Sequence, residues 1–140
     1  MPIRDDRPAK LISVVVPVYN HSRYVRQCLD SVFDQTHRPL QLIVIDDGST
    51  DGTPEIVREY LQRRGEVPGF EVLFRSRENR GAHATLNEGL EAATGEFLTI
   101  LNSDDYYHAG RIEKCLRACE AAGADLVFSY VEAIGDDGVV

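Results

Sequence analysis

Residues 11–19 read LISVVVPVY, an almost unbroken run of β-branched and apolar side chains. A strand with one wet face alternates apolar with polar residues, whereas one covered on both faces does not. The run therefore reads as an interior strand of a parallel sheet. The period then changes: in HSRYVRQCLDSVFDQT, residues 21–36, Val25, Cys28, Leu29, Val32 and Phe33 fall at helical spacing. Strand followed by helix is the repeating unit of a parallel α/β sheet. The pattern recurs with LQLIVIDD (40–47), a second buried strand, and DDGSTDGT (46–53), a turn cluster. In the helix after that cluster, Thr53 reads as N-cap, Pro54 as the first helical position and Glu55 as a first-turn acid.

A Pro68-Gly69 turn precedes a third strand, FEVLFRS (70–76), and a third helix, GAHATLNEGLEAAT (81–94), closed by Gly95. EFLTILN (96–102) is a fourth strand, RIEKCLRACEAAG (111–123) a fourth helix and DLVFSYVEAI (125–134) a fifth strand. GDDG (135–138) then turns into a strand that begins at Val139. This alternation predicts an α/β fold, an open, mostly parallel twisted sheet with helices on both faces and right-handed crossovers. Residues 1–10 read as a flexible lead-in and 11–140 as one domain.

Composition bounds the function. The 140 residues carry 23 Asp plus Glu against 15 Lys plus Arg, a formal net charge of −8. A general nucleic-acid binder needs a basic face, so nucleic acid is not an expected partner. No apolar run approaches the roughly 20 residues of a membrane span, and MPIRDDRPAK lacks the apolar core of a secretion signal. Direct membrane insertion by this segment is therefore not expected, and the expected compartment is cytoplasmic. The three cysteines, Cys28, Cys115 and Cys119, have no paired zinc spacing and read as small buried hydrophobes. The four histidines read as surface or loop residues.

In an open parallel sheet, ligands bind beyond the carboxyl ends of the strands, where strand order reverses. That rule selects Tyr19 and Asn20, Asp46 and Asp47, residues 75–79 and residues 102–105. The first strand-to-helix turn, PVYNHSRY (17–24), has no glycine and GxxxxGK[ST] is absent. Dinucleotide-fingerprint and P-loop chemistry are thus disfavoured. Tyr19 can stack a base or pack the core, and Asp51 reads as a capping residue of the turn cluster.

Asp104 and Asp105 stand side by side at the tip of a strand in an acidic chain. Adjacent carboxylates repel each other. Two hard oxygen donors suit Mg²⁺ or Mn²⁺ shared with a diphosphate, and such an ion reconciles an acidic protein with an anionic ligand.

SVVVPVYN (13–20), DDGSTDGT (46–53) and LNSDD (101–105), in this order, resemble glycosyltransferase family 2, the inverting GT-A enzymes that use nucleotide-diphospho-sugars. The resemblance covers nearly all of residues 11–140. It implies base contacts from Pro17, Val18 and Tyr19, a hydrogen bond from Asp47 to the base ring, and Asp46 as a second acid there. It likewise implies Asp105 as metal ligand in a DxD-type motif, with Asp104 at the ribose or metal. NRGAHATLNEG (79–89) resembles the family's NxGxxxARNxG. Asn79, Gly81, Asn87 and Gly89 match, with Asn79 and Gly81 near the nucleotide, while Thr85 and Leu86 stand where Ala and Arg are common. Asn102 replaces a common Asp.

The resemblance further implies transfer of a sugar, from a UDP-sugar first, to the hydroxyl of a glycan, lipid or small-molecule acceptor, as in polysaccharide biosynthesis. The general base is expected beyond Val140, in an acceptor-binding region. Residues 11–140 then form the donor-binding part of a longer protein, which can reach the cytoplasmic face of a membrane through other parts. Two alternatives stay open: a non-catalytic nucleotide-sugar-binding module, and a sugar nucleotidyltransferase. The latter needs a first loop richer in glycine and basic residues.

Overall fold

The computed structural model describes residues 7–137. The elements are β1 (Ile12–Val18), α1 (Val25–Phe33), β2 (Leu40–Asp47), α2 (Thr53–Arg64), β3 (Phe70–Arg77), α3 (Ala82–Ala92), β4 (Phe97–Ile100) and α4 (Arg111–Ala122). The strands pair in parallel in the order β3-β2-β1-β4. The expected α/β architecture is therefore present.

The period-two geometry of strands divides the core. Val14, Val16, Val18, Leu42 and Val44 point to one face, where they meet α1, α2 and Ile112 of α4. Val15, Ile43 and Ile45 point to the other, where Ala92 of α3 packs on them. Each such side chain is fully buried and contributes on the order of 1.5–3 kcal/mol relative to exposure. Gly89 lets α3 come this close: a Cβ there would lie 2.4 Å from Cγ1 of Val15.

The chain runs outward from β1 to β2 to β3, then crosses back to the far side of β1 to form β4. Right-handed crossovers demand that the helix change face when the direction reverses. Accordingly α1 and α2 cover one face and α3 the other. The reversal lies between β1 and β4.

The same rule accounts for the missing fifth strand. Residues 125–134 form no strand, and Leu126, Phe128, Tyr130 and Val131 are exposed, Phe128 at 86%. A parallel neighbour beyond β4 needs its connecting helix on the α3 face, but α4 lies on the α1 face, where Ile112 donates its N–H to Oε1 of Gln35 at 3.0 Å. Joining β4 directly would be a left-handed crossover. The alternation of apolar residues in DLVFSYVEAI signals a face to bury and not a partner strand. The strand expected from Val139 lies outside the described residues.

Smaller departures have local causes. Helix α2 starts at Thr53, with Gly52 as the flanking residue. The side chain that accepts the Thr53 N–H is Asp51, at 3.1 Å, so Asp51 is the cap. Helix α3 ends at Ala92, before Gly95. Cys28 and Cys119 are buried as expected, but Cys115 is half-buried. Residues 1–6 are not described, whereas Lys10 already packs, its Nζ 5.4 Å from the Phe97 ring centre and 3.6 Å from Glu120. No helix among the described residues is long and apolar enough to cross a membrane.

Candidate nucleotide site

Three strand ends meet at the rim. At the end of β1, Val18 is sunk in the core, while Pro17 is half-buried and Tyr19 is 49% exposed. Of the segment singled out for base contact, Pro17 and Tyr19 thus offer side-chain surface and Val18 offers only backbone. Asn20 follows in the left-handed region at φ 50°, which Asn tolerates because its amide bonds locally. Its N–H donates to Ser49 Oγ and its Oδ1 accepts from the Thr50 N–H, each at 2.8 Å. Asp51 accepts from the Ser22 N–H at 3.1 Å. These bonds tie the loop after β1 to the loop after β2. Burial would raise the Asp51 carboxyl, but hydrogen bonds from Thr53 and Ser22 outweigh it and lower its pKa to about 2.

The adjacent acids at the end of β2 go to opposite faces. Asp46 is fully buried on the Val18 side, where its Oδ2 accepts from Ser76 Oγ at 3.0 Å and the Ser49 N–H at 3.3 Å. Its Oδ1 is buried without a protein partner. Asp47, on the α3 side, is 5% exposed. It accepts from Arg77 Nη1 at 2.5 Å, the Arg80 N–H at 2.8 Å and the Gly81 N–H at 3.1 Å. Burial works to raise the Asp47 pKa, and the bonds from the Arg80 N–H and Arg77 overcome it, leaving the carboxyl below the usual carboxylate value. The two backbone donors stand immediately before α3, so Asp47 fixes the chain where it enters that helix. Gly48, at φ 77°, presses on Asn79: a Cβ there would lie 2.5 Å from the Asn79 nitrogen. Asn79 is exposed and Gly81 is half-buried.

Across β1, the loop after β4 carries the acid pair. Asp104 and Asp105 are both exposed, and the Asp105 N–H donates to the Asn102 carbonyl at 3.0 Å in a tight turn. Ser103 between them and Asn102 is buried, its Oγ 2.7 Å from Nδ1 of His21. Nε2 of His21 lies 3.9 Å from Oδ2 of Asp104. The acid loop and the loop after β1 are thereby joined at the reversal crevice. Beneath them, burial first, then the charges of Asp105 and Asp104, push the Cys28 thiol up to about 12. Since β2 and β4 both neighbour β1, the two acid pairs stand on the order of 10 Å apart across it.

The donor set of Asp104 and Asp105 fits a hard divalent ion of the Mg²⁺ or Mn²⁺ class, which takes one or two carboxylates and completes its shell with water and substrate phosphate. Among the described residues no cluster of three or more His, Cys, Asp or Glu is poised to hold an ion unaided.

The strand-end rule selected residues 75–79 and 102–105, which include Arg77 and Ser103, but gave neither a role, and His21 read as a surface or loop residue. The partners of Arg77 and His21 lie 30 and 82 positions away, and only strand order brings them together. The order was readable from the reversal rule, but the individual pairs were not.

The chain matches the family model described as glycosyl transferase family 2 over residues 13–139. It is 34% identical over 128 residues to the glycosyltransferase GlyA of Streptococcus pneumoniae, covering 89% of this chain and 18% of that protein. It is 35% identical over 127 residues to the putative glycosyltransferase EpsH of Bacillus subtilis, covering 91% of this chain and 36% of that protein. Among solved structures it resembles S. aureus TarS 1-349 in complex with UDP-GlcNAc, with a TM-score of 0.68 and 29% identity over 79% of this chain and 31% of that one. It also resembles the mannosyltransferase PcManGT from Pyrobaculum calidifontis in complex with GDP-Man and Mn²⁺, with a TM-score of 0.65 and 31% identity over 73% of this chain and 30% of that one. The chain thus spans under two-fifths of each of these relatives, and on the strength of its family match it belongs to glycosyl transferase family 2.

Proposed function

We propose that the protein transfers a sugar from a nucleotide-diphospho-sugar, with UDP-sugars the first candidates, to an acceptor hydroxyl with inversion. Residues 11–140 form its donor-binding domain. The observation that carries this reading is that exposed Tyr19, Asp47 and the Asp104–Asp105 pair follow or end three adjacent parallel strands, β1, β2 and β4, in a family 2 chain. It is supported by the UDP-GlcNAc bound to TarS and by the GDP-Man and Mn²⁺ bound to PcManGT.

In this reading Tyr19 and Pro17 receive one face of the base while Asp47 accepts a hydrogen bond from its ring. The backbone at Val18, the loop at Asn79 and Gly81 and the buried Asp46 shape the wall behind it. Asp104 lies at the ribose, and together with Asp105 it would hold Mg²⁺ or Mn²⁺. A bound divalent ion supplies positive charge to the diphosphate as it departs. The acceptor oxygen forms its bond to the anomeric carbon from the face opposite the diphosphate, whose oxygen leaves with the electron pair of the broken bond. A carboxylate of an acceptor-binding region in the whole protein takes the hydroxyl proton.

The test is calorimetric titration of UDP, GDP and dTDP with and without Mn²⁺, on the wild type and Asp105→Ala. Metal-dependent binding by the wild type that is lost in the variant is expected. Binding equal across all combinations of metal and variant would remove the assignment of Asp105.

A further inference from the structure

We propose that Arg77 is a specificity-determining positioning residue: it fixes the Asp47 carboxylate so that the site takes bases whose ring edge offers an N–H and refuses those whose edge offers a lone pair. This step rests on the base-binding role given above to Asp47.

The guanidinium is held on four sides. Nη1 donates to Asp47 Oδ1 at 2.5 Å and to the Glu78 carbonyl at 3.0 Å, Nε donates to Glu88 Oε2 at 2.8 Å, and Nη2 donates to Thr85 Oγ1 at 3.1 Å. Only 14% of the side chain is exposed. Thr85 is fixed in turn by donating to the Gly81 carbonyl at 2.9 Å, and Glu88 takes a second, longer bond from Arg75 at 3.4 Å. A planar fork gripped in this way cannot swing, so it dictates the angle of the carboxylate it meets.

An ionised carboxylate has about four acceptor directions. On Asp47, Oδ1 receives Arg77 and the Arg80 N–H, and Oδ2 receives the Gly81 N–H. One direction on Oδ2 remains for a ligand, and it can only accept. Uracil and guanine present a ring N–H to such an oxygen, while cytosine and adenine present a ring nitrogen lone pair at the equivalent position and are repelled. The network uses a residue by which this chain departs from the pattern it resembles. Thr85 stands where Ala is common and lends the hydroxyl that Nη2 of Arg77 reaches.

The test compares matched ligand pairs, UDP with CDP and GDP with ADP, by calorimetry on the 140-residue chain in Mn²⁺. The variants are Arg77→Gln, Arg77→Lys and the double variant Thr85→Val/Glu88→Gln. The wild type is expected to prefer one N–H-bearing base over its counterpart by roughly 10- to 100-fold, the range for one hydrogen bond to a charged group. Arg77→Gln, folded by circular dichroism, should shrink that ratio at least about tenfold while its Mn²⁺ dependence stays. Arg77→Lys should recover part of the ratio, which loss of stability alone would not produce. If Arg77→Gln does not fold, the double variant, which keeps the Asp47 contact but releases two other grips, must still narrow the ratio. A folded Arg77→Gln with the wild-type ratio, or an unmoved ratio in the double variant when Arg77→Gln is unfolded, overturns the role of Arg77. A wild type that binds neither member of either pair overturns instead the nucleotide site itself.

Discussion

Asp47→Asn tests the rim without any ligand. The substitution keeps the shape of the side chain and removes its charge from a carboxylate that accepts three hydrogen bonds, one from a guanidinium. Hydrogen bonds to charged groups contribute about 1.5–3 kcal/mol each. The single carbonyl of Asn can keep some of them, while its amide group turns a donor toward a donor. Stranding a buried charge costs about 3–5 kcal/mol, but Arg77 keeps Glu88 at 2.8 Å, so the loss falls below that. The expected destabilisation is about 2–3 kcal/mol, a thermal midpoint lowered by roughly 6–10 °C for a domain of this size.

The effect carries a pH signature. The Asp47 carboxyl is raised by burial but lowered further by its hydrogen bonds, so its pKa in the folded protein lies below the value of about 3.9 in the unfolded chain. As pH falls the unfolded chain binds the proton first, and stability is lost from about pH 5 downward through the folded pKa. The gap between wild type and Asp47→Asn should therefore be constant from pH 6 to 8 and close as the pH drops toward 3. Urea unfolding at pH 7 and pH 3.5, followed by circular dichroism, measures both values. Equal midpoints at pH 7, or a gap unchanged at the lower pH, would refute the Asp47 network.

Gly89→Ala sets two effects against each other: a gain in helix propensity of up to about 1 kcal/mol and a Cβ 2.4 Å from a Val15 methyl that has nowhere to go. Overpacking costs about 1–3 kcal/mol and should win, giving a net loss near 1 kcal/mol in urea unfolding, whereas a stabilised variant would mean α3 does not rest on β1. Cys28, raised to about 12 chiefly by burial, should resist a thiol-reactive dye at pH 8 in the native protein while half-buried Cys115 reacts. Labelling of both at one rate would contradict the packing of α1 under the acid loop.

Most of the fold is legible because interior parallel strands write their burial directly into sequence. Val14, Val15 and Val16 are consecutive and all fully buried, which only a two-sided environment explains. The same signal misleads at residues 125–134, where apolar alternation reports a face to cover but carries no information on handedness. Asp104 and Asp105 stood out because paired charge on an apolar strand tip is costly without a counter-ion. The division of labour between Asp46 and Asp47 was also available in principle, since neighbours on a strand face opposite ways. That Arg77 meets Asp47, or that His21 meets Ser103, depends on which strands lie adjacent and on the angle of the α3 entry, and neither is written locally.

The bonds from Asn20 to Ser49 and Thr50, and from Ser22 to Asp51, have a thermodynamic result for any ligand that binds at this rim. Two surface segments that would otherwise wander are frozen against one another when the polypeptide folds, so their disorder is surrendered before any guest appears. If the base is received at this rim as proposed, that part of the site has no ordering left to undergo on binding.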